Sequence, residues 1–227
     1  SLLRVVAARC CASKTGCAKS FLLFSNTAPT TISPLRITPR LTLSKVPPMD
    51  SIPVDLHGAG LAGAPLCLGG VFHVEHVRDG VVIDTWQHGN VVTDEGINHS
   101  LNVIFNGATQ VATWCIGLFV GNYTPVAADT AAAFPGAAQE ATTQYTEGAR
   151  QTYAEATSTA KSITNSANKA TFTCGTAMTV YGAFLSSVST KGGTSGVLMA
   201  AAKFSSAKTL EVNDQLLVTY TINGSSL

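Results

Sequence analysis

Between Gln151 and Ile222 five strand-like runs follow one another: Gln151–Thr157, Lys169–Cys174, Thr179–Ser186, Val197–Phe204 and Gln215–Ile222. Turns rich in Ser, Asn and Gly separate them, such as Thr164–Asn168 and Lys191–Gly196. Strands this short cannot bury a face alone, so they pair antiparallel and stack as two sheets. The pattern predicts an all-β chain, an antiparallel β-sandwich of jelly-roll type with roughly eight strands and one short helix. Phe172, Val180, Phe184, Leu198, Leu217 and Val218 are the expected inward residues. No internal repeat of fixed period is visible, which argues against a solenoid or a propeller.

The run-up to these strands fits the same architecture. Val71–Val77 and Val81–Trp86 flank Arg78-Asp79-Gly80 and read as a hairpin around an Asp-Gly turn. Thr93 or Asp94 then caps a helix expected over Glu95–Asn106, whose apolar residues Ile97, Leu101, Ile104 and Phe105 recur at helical spacing and are expected to pack it onto the sandwich. Val111–Val120 is a nearly continuous apolar run, the mark of a strand buried on both faces. Gly121–Gly148 is too broken by Pro and Gly for a long element and reads as an extended loop with one helical turn near Asp129–Ala133. Long ordered loops in compact domains are where partners bind, and this one carries few charges. The aromatic residues of this region, Trp114, Tyr123, Phe134 and Tyr145, are the expected partner-binding residues.

Charge divides the chain. Residues 1–49 hold seven basic residues and no acid, while residues 50–227 hold seven basic residues against thirteen acids. The acid-free segment 1–48 is broken by prolines and ends at Pro47-Pro48 before the first methionine, Met49. Its composition suits upstream sequence in an extended reading frame or, alternatively, an organelle transit peptide; its short apolar stretch Phe21–Phe24 fits a secretory signal poorly. The expected organisation is an irregular segment 1–48, a flexible Gly/Ala-rich lead 49–69 and a sandwich domain 70–227, with 1–48 making few contacts. An acidic domain offers no basic stripe for phosphates, and no run approaches the roughly 18 apolar residues of a membrane-spanning helix. Neither nucleic acid nor a membrane is an expected partner. Beyond the first segment only Cys67, Cys115 and Cys174 remain, without a CxxC, so no disulfide framework or zinc site is indicated and a cytoplasmic folding environment is expected.

Residues that could carry chemistry do not assemble into a signature. His73, Glu75 and His76 come nearest to a metal cluster, but on a strand His73 and Glu75 face one side and His76 the other. Gly193-Thr194-Ser195-Gly196-Val197 lacks the second glycine of a nucleophile elbow, and Lys191-Gly192-Gly193 lacks the spacing of a phosphate loop. The acids cluster in turns, at Asp79, Asp94-Glu95 and Asp214, where solvated carboxylates are the ordinary explanation. The expectation is a protein that is not an enzyme, with no cofactor, no metal and no catalytic residues.

Several segments in order, among them RDGVVIDTW, NVVTDEGINHSLNVIF, TWCIGLFVGNYTPVAADTAAAFPG, TVYGAFLSS, KGGTSGVLMAAAKF and LEVNDQLLVTYTI, span Arg78 to Ile222. Together they resemble the virion structural proteins of tailed bacteriophages, in particular head decoration or cement proteins of short-tailed phages. The resemblance implies a β-sandwich bound to the outside of the head and stabilising it, commonly as a homotrimer, with the major capsid protein as partner. It places the protein in the virion, assembled in the host cytoplasm. The alternative it leaves open is a tail-fibre, head-fibre or carbohydrate-binding module of a virion. A charged fraction of 12%, against about 25% in an ordinary soluble domain, independently suits permanent burial in an assembly, because few charges need desolvating.

Overall fold

The computed structural model describes residues 66–226, so the expectations for 1–48 and 49–65 lie outside the described residues. The hairpin forms from β1 (Leu66–Arg78) and β2 (Val81–Gly89). Asp79 and Gly80 turn it with φ of 50° and 77°, the two left-handed residues that a tight hairpin turn matching strand twist requires. Leu66 to Gly69, expected in the lead, belong to β1.

The last strand, β10 (Gln215–Ser226), lies antiparallel along the other edge of β1, with Phe72 opposite Tyr220 and Val74 opposite Val218. The Phe72 and Tyr220 rings stack with centroids 4.1 Å apart. Two short strands, β6 (Ser162–Thr164) and β7 (Ala170–Thr173), pair with different stretches of β10 and complete the first sheet. The second sheet runs β3 (Val91–Val92), β9 (Leu198–Leu210), β8 (Met178–Ser186), β4 (Cys115–Phe119), β5 (Gln151–Thr152). Every pairing in both sheets is antiparallel, and the fold is all-β and sandwich-like.

The main core lies between the sheets: Phe72, Val74, Phe172, Leu216, Val218 and Tyr220 from one meet Ile116, Leu118, Val180, Leu185 and Ala202 from the other. Because side chains alternate, Leu216 and Val218 cannot share the inward face with Leu217, and Leu217 is the one left partly exposed, contrary to the expectation. Phe184 and Leu198 are buried as expected but on the opposite face of the second sheet, where Phe119, Ala131, Phe134, Ala138 and Ala201 join them in a second cluster. The loop 121–148 covers that face. Hence all five residues of β4 are buried, as its apolar run requires, although the strand is shorter than Val111–Val120. At Gly117 a side chain would run into the Phe184 ring, so glycine here permits the close layering of β4 under β8's aromatic residue.

Among the described residues two helices accompany the sheets: α1 (Asp94–Phe105) and the single turn α2 (Phe134–Ala137). α2 sits one step later than the expected Asp129–Ala133, with Pro135 in its first turn, where a missing N–H costs no intrahelical bond. α1 agrees with the expected span, but its packing does not. Ile97, Leu101, Ile104 and Phe105 were expected to face the sandwich and are 41%, 45%, 62% and 76% exposed. The buried contact is Gly96 instead, where a Cβ would lie 2.7 Å from the Met199 carbonyl oxygen of β9. A twelve-residue helix pressed so closely at its first turn rests on its small residue and turns the apolar ridge outward.

Candidate interaction surface

The entry to α1 fixes its orientation. Thr93 is fully buried; its Oγ1 accepts the Gly96 N–H at 3.0 Å and its hydroxyl donates to the Leu198 carbonyl, while the Thr93 N–H donates to Met199 O at 3.1 Å. One N-cap residue therefore satisfies the helix end and ties it to β9. Glu95 Oε2 accepts two backbone N–H groups, from Ala131 at 2.8 Å and Leu198 at 2.7 Å, binding the helix start to the loop 121–148 and to β9. Asp94 and Glu95 in the first turn also suit the positive end of the helix dipole.

Beyond that anchor the outward face of α1 forms an apolar surface together with Leu68 at the start of β1. Leu68, Ile97, Ser100, Leu101 and Ile104 line a recess of about 330 Å³. On the other flank of the helix His99 stands edge-on to Trp114, ring centroids 5.8 Å apart, beside a recess of about 190 Å³ floored by Met199. Trp114 also borders a third recess of about 390 Å³ with Gln110, Tyr153, Glu155 and Ile222.

A second apolar surface lies at the far end of β1, ten residues or roughly 33 Å of strand from Leu68. Val81, Val82 and Ile83 of the edge strand β2 are all exposed, as is Val212 in the turn between β9 and β10. That turn is braced by Asp214, a buried carboxylate that accepts from Arg78 Nε and Nη2 at 2.8 Å each, from the Glu211 N–H at 2.8 Å, and that meets His76 Nε2 at 2.8 Å. The Arg78 guanidinium, with the Glu211 N–H and His76, holds the Asp214 carboxyl well below the usual carboxylate range against the opposing effect of burial.

The expected partner-binding residues divide. Phe134 and Tyr145 are only 1% and 2% exposed, so they present no surface to a partner. Phe134 packs among Phe119, Tyr123 and Phe184, and Tyr145 stands edge-on to Phe172 beneath the Lys191 ammonium, which lies 3.5 Å from its ring centroid. Burial pushes the Tyr145 phenol upward. Tyr123 is partly buried next to Phe134, and its hydroxyl donates to Asp129 Oδ1 at 2.6 Å, which raises its own pKa. Trp114 is partly exposed on the α1 side, and Tyr145 lies in the core between the sheets while Tyr123 and Phe134 lie in the second cluster, so the four do not form one surface. The loop folds onto its own sheet because Arg150 spends all five of its N–H groups there: two on Glu140 at 2.8 and 2.7 Å, the rest on Ser186 Oγ, Val188 O and Gly193 O. This pair is buried on both sides and fully hydrogen-bonded, the condition under which buried charges are tolerated.

Groups with chemical potential elsewhere are held apart. His73 and Glu75 share the outer face of β1, 3.6 Å apart, and Glu75 also meets Lys169 at 2.6 Å, while His76 points inward to Asp214. Among the described residues no three His, Cys, Asp or Glu side chains converge as metal ligands. Burial raises the thiol pKa of Cys115 and Cys174, which keeps both in the unreactive protonated form. Sequence reasoning missed the outward face of α1 and the hairpin end. The signal for the second was present: three consecutive apolar residues on an edge strand cannot all face a core. A comparison with protein-family models gave no match, and a search of curated proteins found no significant relative.

Proposed function

We propose that this chain is a structural protein of a bacteriophage virion, a decoration or cement protein that binds the major capsid protein on the outside of the head as a homotrimer and stabilises the shell. The observation that carries the reading is the pair of apolar surfaces at opposite ends of β1, one on α1, free of Asp, Glu, Lys and Arg from Ile97 to Phe105, and one on the hairpin, rimmed by Arg78, Asp79 and Glu211. A subunit of a permanent assembly needs two distinct surfaces, one for its own copies and one for the shell. Patches of this kind are costly on a free monomer and ordinary within interfaces. The ordered resemblance of residues 78–222 to such proteins and the low charge of the chain support the same reading, as a non-enzymatic protein working without a cofactor.

The hairpin end is assigned to the shell. Val82 is exposed on an edge strand, so Val82→Asp leaves the fold intact. Purified protein mixed with phage particles lacking it should sediment with them through a density gradient, and the Val82→Asp protein should stay at the top. Equal binding by both proteins would remove the hairpin from the contact; no binding by either would remove the capsid reading. A fibre or carbohydrate-binding module is favoured by one feature, the Trp114 recess with Gln110 and Glu155 at its rim. Oligosaccharide binding lost in Trp114→Ala, with particle binding unchanged, would give that alternative precedence.

A further inference from the structure

We infer that the exposed face of α1 is the surface through which copies of this chain join, the α1 faces of three copies packing against one another about the three-fold axis of the trimer. The inference rests on the proposed function only for the existence of a trimer; the surface itself is argued from the helix.

The first argument is area. Taking roughly 150–200 Å² for a large apolar side chain, the exposed fractions of Leu68, Ile97, Leu101, Ile104 and Phe105 leave on the order of 400–500 Å² of apolar surface in one patch. That is near the upper end for the largest patch of a monomer. A standard interface buries about 800 Å² per partner, some 55–65% of it apolar, so one α1 face supplies about the apolar area that one side of a stable interface requires.

The second argument is self-complementarity. From Ile97 to Phe105 the helix carries no Asp, Glu, Lys or Arg; the residues beside the apolar ridge are Asn98, Ser100 and Asn102. Each Asn amide both donates and accepts, so the surface can meet copies of itself without like-charge repulsion and with its polar rim paired. The ridge at positions 97, 101, 104 and 105 is spaced for helix-on-helix packing. A partner recognised by charge would find nothing here to hold. The helix is also held firmly enough to serve: Thr93 and Glu95 fasten its first turn to β9 and the loop, and Gly96 sits against Met199.

The test is the mass of the full chain in solution, measured by sedimentation velocity over a dilution series without any particles. The wild type should be an oligomer at micromolar concentration. Leu101→Asp, at a position already half exposed in one copy, should weaken association at least a hundredfold and give a monomer with unchanged circular dichroism. Val82→Asp at the other end of β1 should associate like the wild type. Should Leu101→Asp fail to fold, hydrogen exchange of wild-type amides 97–105 gives the same answer: protection that falls on dilution supports the inference. A wild type that is monomeric, with the α1 face left for a different protein, overturns it, as does an oligomer that Leu101→Asp leaves intact. A chain that assembles through α1 and yet ignores particles loses the capsid reading and keeps this one.

Discussion

Asp214 shows how much one side chain can organise. It gathers Arg78 from the end of β1, His76 from the core face and the Glu211 amide from the turn, and so fixes the hairpin end where Val82 and Val212 are displayed. Its acid sensitivity follows with a definite sign. In the unfolded chain Asp214 takes up a proton near the ordinary value of about 3.9, in the fold only at lower pH. Between the two the unfolded state binds more protons, so the stabilisation is complete above the ordinary value and is lost as pH falls towards the folded one. Urea unfolding should find Asp214→Asn less stable than wild type at pH 7, with the gap narrowing as pH drops below about 4. A gap that is constant down to pH 2 would mean that the carboxylate's charge is not what matters. Nothing in the sequence identified Asp214 as other than a turn acid, because its partners stand 136 and 138 residues away. The same distance problem hid the burial of Phe134 and Tyr145: their loop is fastened by Arg150 to the backbone of residues 188 and 193 as well as to Glu140, and no local pattern announces such a contact.

Elements were more legible than their partners. Helix α1 and its Thr93 cap could be read from the Thr-Asp-Glu start and the spacing of Ile97, Leu101, Ile104 and Phe105. What periodicity reports is that a helix has an apolar face; it does not say whether the chain itself or another molecule covers that face. The clue lay in Gly96, a poor helix former placed third in the first turn. Replacing glycine by alanine within a helix normally stabilises by up to about 1 kcal/mol. Here the added methyl meets the Met199 backbone, so Gly96→Ala should instead destabilise by about 1–3 kcal/mol, read as a shift of the urea midpoint without a change of slope. A stabilising Gly96→Ala would mean that α1 is not pressed onto β9. Strands of the second half were found from alternation and turn chemistry, although the run Gln151–Thr157 forms only the two-residue β5, whereas β3 and β6, only two or three residues long, carry too little pattern to register.

At the scale of the whole molecule the antiparallel sandwich was legible because strand length, turn composition and the doubly buried run of β4 all point to it. The interaction surfaces were legible in part: Trp114 stands beside α1 at the surface, while the apolar residues that are most exposed, on α1 and the hairpin, carry the same pattern in sequence as residues that face a core. On the proposed reading, this weakly charged domain, with apolar residues displayed at both ends of one long strand, joins copies at one end and grips a lattice at the other. If it binds a shell as proposed, the consequence is mechanical: each bound copy adds contacts that must break before capsid subunits separate. The temperature at which phage heads open, followed by a dye that fluoresces on released DNA, tests this most directly. Heads lacking the protein should open several degrees below complete ones, and adding back the purified wild-type chain should restore the higher temperature. Heads that open at the same temperature with and without it would contradict the account.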